Sequence, residues 1–87
     1  MDKRFQFTRS ARRHGMNAAR ALAIMESQGD PLVVTTEDGE HVEYWWFGMD
    51  EVTNVEWEIM AVERPDVMLI VHAMPTRDLA EARNRNA

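Results

Sequence analysis

Cysteine is absent from this 87-residue chain, which excludes disulfides and thiolate chemistry and favours a reducing compartment. Long apolar runs are absent too. The most continuous one, Val67 to Val71, is far too short to cross a bilayer, and the basic residues near the amino terminus precede no apolar stretch of signal-peptide type. The expectation is a cytoplasmic protein with no membrane partner. There is no glycine-rich phosphate loop, no nucleophile elbow and no paired-carboxylate signature. His14, His41 and His72 fall at no ligand spacing, so neither a metal nor another cofactor is expected.

What is there is enough apolar material, 45% of the residues, for one domain over residues 1–87 with one modest core. The net charge of -5 conceals a strong asymmetry. Residues 1–20 carry six basic side chains and one acidic, whereas residues 21–70 carry one basic and twelve acidic. A fold that keeps these regions apart gives one face suited to an anion and another suited to a basic partner.

Phe5 and Phe7 alternate with polar residues, which suits a short strand or an extended arm pinned by two rings. Thr8 or Ser10 can cap a helical turn through His14, which Gly15 breaks. Asn17 then caps a helix over Ala18 to Gln28, ended by Gly29 and Pro31. Leu32 to Thr35 and His41 to Phe47 read as the arms of a hairpin around the turn signal Glu37-Asp38-Gly39-Glu40. In Val55 to Val62 the alternation sends Val55, Trp57, Ile59 and Ala61 to the core and Glu56 and Glu58 outward. A tight turn at Glu63-Arg64-Pro65-Asp66 leads antiparallel into Val67 to Met74, apolar on both alternating sets except at His72. Thr76 can cap a weak last helix from Arg77 to about Arg85. The expected architecture is α+β, with N-terminal helices packed on an antiparallel sheet of three to four strands and a short C-terminal helix.

Two groups of residues stand out chemically. Tyr44-Trp45-Trp46-Phe47 puts two aromatics on each face of one strand, and in a two-layer domain one pair meets solvent unless a partner covers it. That pattern points to a protein interface, in a homodimer or a hetero-oligomer, with base stacking as the alternative. Arg12, Arg13, His14 and Arg20 form a basic cluster of the kind that pairs with phosphate and assists in-line attack by a ribose hydroxyl. His72 reads either as a core histidine bonded to backbone or as an acid or base.

Taken in order, Arg13-His14-Gly15, the alanine-rich helix with Ala19 and Arg20, Trp46-Phe47-Gly48, the strand from Glu56 to Val62 and the strand from Met68 to His72 resemble the BrnT-like branch of the RelE-type toxins of bacterial toxin-antitoxin modules. The segment Val71-His72-Ala73-Met74-Pro75 is similar to that of an actinobacterial and phage-borne variant. The resemblance implies a metal-independent endoribonuclease in the bacterial or host cytoplasm, neutralised by an antitoxin. It assigns Arg13, His14, His72 and Arg77 to catalysis and Arg9, Arg12 and Arg20 to RNA binding. The acidic balance of the chain favours a different reading, because phosphate contacts dominate affinity for nucleic acid. That reading is a non-catalytic interaction module, homodimeric or directed at a host protein, that uses Tyr44 to Phe47 and the acidic middle. An inhibitor whose acidic surface mimics nucleic acid is a third.

Overall fold

The computed structural model describes residues 4–76. Five strands, β1 (Arg4–Phe7), β2 (Leu32–Thr35), β3 (Val42–Asp50), β4 (Val55–Glu63) and β5 (Val67–Pro75), form one mixed sheet in the order β1-β5-β4-β3-β2. One α-helix, α1 (Ala18–Gln28), accompanies it, and the segment between β1 and α1 makes only a single 3₁₀ turn at Ser10–Arg12. The expected arrangement of several N-terminal helices on three to four antiparallel strands is therefore corrected to a mostly β architecture with one α-helix among the described residues. Two physical causes account for the difference. The Phe5-Phe7 segment pairs in parallel with β5, across more than sixty residues of sequence, and such pairing leaves no local signature. The stretch through His14 is too short to propagate helix after the costly nucleating turn. The helix expected from Arg77 onward lies outside the described residues.

Local signals place the rest. Asn17 caps α1 by accepting a 2.9 Å hydrogen bond from the Arg20 amide. Gly29 ends it at φ 80°, a left-handed conformation that suits glycine, while its amide reaches Met25 O at 3.1 Å. The β2–β3 and β3–β4 ladders are antiparallel, and β4–β5 closes through a tight turn in which the Arg64 amide reaches Val67 O at 2.8 Å. Strand β3 extends beyond the expected end at Phe47 to Asp50.

The core lies between α1 and one face of the sheet. Ala21, Ile24 and Met25 of the helix meet Trp46, Trp57, Ile59, Ala61, Met68, Ile70 and Ala73 of the strands. Gly48 sits directly beneath the helix. A Cβ there would come within 2.8 Å of both Ile24 Cγ2 and Gln28 Cγ, so the close approach of α1 to β3 requires glycine. The Trp46 indole donates to Gly29 O at 3.2 Å, tying the helix end to β3, and Phe5 packs edge-on to the same ring.

Strand β5 departs from simple alternation. Ala61 pairs with Ile70 but Met60 pairs with His72, so Val71 is an extra residue in the ladder, a β-bulge. The bulge splits the set Met68, Ile70, His72 and Met74 expected on one face. Met68, Ile70 and Ala73 face α1, while His72 is carried to the opposite side of the sheet with Glu58.

Candidate functional site

The bulge makes the first feature of interest. His72 Nε2 lies 2.8 Å from Glu58 Oε2, and the imidazole rests against Trp45 with centroids 5.6 Å apart. The Glu58 side chain is 2% exposed and that of His72 29%. Glu58, expected on the outside, is instead one of the most buried side chains, and its Oε1 has no hydrogen-bond partner. A carboxylate so placed orients an imidazole, as a general base requires. Glu58 is also the only hydrogen-bonding partner of the His72 imidazole among the described residues, and among them no hydroxyl nucleophile joins the pair.

The basic residues divide. Arg9, Arg12, Arg13 and His14 are exposed on the 3₁₀ turn and its flanks. The Arg12 guanidinium lies 5.7 Å from the Phe7 ring centroid. Thr8 Oγ1 and Ser10 Oγ donate to the carbonyls of Ile70 and Val71 at 2.8 and 2.9 Å, which fastens this turn to the bulge just before His72. No hydrogen bond or ion pair joins the turn to His72 among the described residues. Arg20 stands apart, since its guanidinium is ion-paired with Asp50 and also reaches Gly15 O. Asp50 is buried at the end of β3 and accepts from Thr53 Oγ1 and the Val52 amide as well. The Arg20 hydrogen bond, against the opposing effect of burial, holds the Asp50 carboxyl down to about 2. Arg77 lies outside the described residues.

The aromatic strand divides as well. Trp46 is buried under α1, and Tyr44 packs beside it with its hydroxyl donating to Glu63. Trp45 and Phe47 occupy the other face, stacked at 5.9 Å with planes 8° apart. Of the four aromatic candidates, these two belong to the face away from α1. Beside them runs β2, an edge strand whose Leu32, Val33 and Val34 are 58%, 55% and 37% exposed. Leu32 and Val34 join Trp45 and Phe47 around a shallow groove of about 180 Å³. Composition pointed to the aromatics. The exposure of β2 was not legible, because a short aliphatic run reads alike in a central or an edge strand.

At the β2–β3 turn, the ligand-capable atoms of Asp38, Glu40 and His41 lie within 4.8 Å of one another, all exposed. Asp38 already accepts from Thr36 Oγ1 and the Glu40 amide, and these bonds lower its carboxyl below the usual range. They account for the grouping as turn chemistry. No helix among the described residues is long and apolar enough to cross a membrane. No protein-family model, curated protein or solved structure matches the chain.

Proposed function

We propose that this chain is a protein-interaction module that takes up an extended segment of a partner along the outer edge of β2. The observation that carries this reading is the edge itself. Leu32-Val33-Val34-Thr35 ends the sheet with no charge, proline or bulge within it, so that of the devices that normally protect such an edge from pairing only its shortness, four residues, is present. Strand addition supplies main-chain hydrogen bonds, and the groove between Leu32, Val34, Trp45 and Phe47 accepts alternate side chains. Asp30, Glu37, Asp38 and Glu40 flank the edge, and no Lys or Arg occurs between Arg20 and Arg64, so the favoured segment is apolar with basic flanks.

The test is selection of peptides from a displayed library of random decamers. Enriched sequences should alternate apolar residues between Lys or Arg, and their binding should be lost in Val34→Lys and Trp45→Ala protein but kept in His14→Ala. Absence of enrichment, or binders indifferent to Val34→Lys, rejects the edge as the site.

A second reading is favoured by the exposed Arg9, Arg12, Arg13 and His14 fastened beside β5. On it the chain acts as a toxin-like endoribonuclease of the RelE/BrnT kind, with a cognate antitoxin as partner. It requires RNA cleavage that Arg13→Ala and His14→Ala abolish. Intact RNA after incubation with wild-type protein at low salt eliminates it.

A further inference from the structure

We infer that the segment received at the β2 edge is β1 of a second copy, so that the protein associates head to tail through its two unlike sheet edges. This rests on the reading of β2 as an open pairing edge. The sheet order β1-β5-β4-β3-β2 leaves two terminal strands, each of four residues and each exposed along most of its length. Their surroundings are opposite in sign. β1 begins with Arg4 and leads to Arg9, Arg12 and Arg13, whereas β2 lies between Asp30 and the turn acids Glu37, Asp38 and Glu40. The charge asymmetry of the sequence thus becomes a basic edge and an acidic edge on opposite sides of one sheet. Glu26, which borders the groove beside Phe5, and Asp66, next to the Val67 that pairs with Arg4, are acidic side chains on the β1 side.

The topology also fixes direction. β1 runs parallel to β5, and three antiparallel ladders separate β5 from β2, so β1 and β2 point opposite ways within one copy. A second copy that continues the sheet with its helix on the same side brings its β1 antiparallel to β2, the more stable pairing. Phe5 and Phe7 then share the α1 face with Val33, while Gln6 and Thr8 lie over Leu32 and Val34 on the groove side, so this contact rests on main-chain pairing and charge rather than on filling the groove. In the register that sets Phe7 opposite Val33, Arg4 approaches Glu37 and Asp38, and Arg9 approaches Asp30.

Like edges do not match in this way. Two β2 edges paired about a two-fold axis set Asp30 against Glu37 at both ends, and two β1 edges set arginine against arginine. Charge therefore selects the heterologous contact over both isologous ones. A heterologous contact that does not close a ring propagates as an open chain. The patches are small, so association is weak and sensitive to salt.

The experiment is sedimentation velocity on the full chain and on two charge-reversed variants, with circular dichroism to establish that each is folded. Wild-type protein should show an average mass that rises with concentration past the dimer at low ionic strength and returns to the monomer at high salt. Arg4→Glu/Arg9→Glu blocks the basic edge, Asp30→Lys/Glu37→Lys blocks the acidic edge, and each alone should be monomeric. Mixed in equal amounts, they should associate past the dimer again, because the two native edges pair and the two reversed edges are complementary to each other, whereas Arg4→Glu/Arg9→Glu mixed with Val34→Lys should stop at a 1:1 dimer. Val34→Lys should be monomeric alone and serves as the acidic-edge block if the double variant fails to fold. Wild-type protein that stays monomeric at low salt, or Arg4→Glu/Arg9→Glu protein that still self-associates, overturns the inference. A monomeric protein that nonetheless yields β2-dependent peptide binders leaves the interaction module standing and removes only the second copy as its partner.

Discussion

Arg20, in the first turn of α1, holds Asp50 at the last position of β3 through two guanidinium nitrogens, so a charge pair fastens the helix start to the sheet. The Asp50 carboxyl is held down to about 2 from an ordinary 3.8, chiefly by the Arg20 hydrogen bond, with burial opposing and Thr53 and Val52 assisting. A depressed carboxyl stabilises the fold above its unfolded value and loses that contribution as pH falls through its folded value. Stability should therefore be level near neutrality and decline between about pH 4 and pH 2, with Asp50 accounting for roughly 1–2 kcal/mol after allowance for solvent screening. Urea unfolding at a series of pH values measures this. Asp50→Asn should lower stability at pH 7 and flatten the acid slope, leaving the smaller contribution of Asp38, and an unchanged slope contradicts the assignment.

Gly48 sets how closely α1 approaches β3. Gly48→Ala places a methyl group against Ile24 and Gln28 inside the core contact. Such overpacking should cost about 1–3 kcal/mol, read as a lower urea midpoint with an unchanged slope. Gln28→Ala in the same protein should restore part of the loss, because it removes one of the two obstructing side chains. A neutral Gly48→Ala shows that the helix can shift outward at little cost.

The His72–Glu58 pair sets a buried carboxylate 2.8 Å from one partly buried imidazole. Removing His72 alone leaves Glu58 buried with neither oxygen bonded to a side chain, since Oε1 already lacks a partner. His72→Leu should cost about 1–3 kcal/mol, and Glu58→Leu/His72→Leu should be more stable than His72→Leu. A double-mutant cycle by urea denaturation decides this, and additive losses show that the pair is not coupled.

The aromatic run shows where sequence reasoning is strong and where it stops. Alternation correctly divided Tyr44 and Trp46 from Trp45 and Phe47, because side chains on a strand point to opposite faces regardless of what surrounds them. It could not say which pair the helix would cover. Trp46 went inside because Gly48, two residues on, lets α1 sit down on that face. Likewise Glu58 was placed on the correct face but at the wrong depth, since burial depends on what the neighbouring strands bring to it.

Sequence alone determined the cap at Asn17, the extent of α1, the hairpins and which residues of β4 share a face, though not the exposure of Val55 or the burial of Glu58. It also determined the opposition between a basic start and an acidic middle. Tertiary structure decided what depends on distant partners. It paired β1 in parallel with β5, took Arg20 out of the basic cluster by burying Asp50 beside it, and turned His72 away from α1 through the bulge at Val71. It also left β1 and β2 as the two edges of the sheet, converting a charge difference along the chain into one across the molecule. A strand's own residues specify that it is extended. Only the hydrogen-bonding needs and packing of the strands around it determine whether it ends up in the middle or at the border.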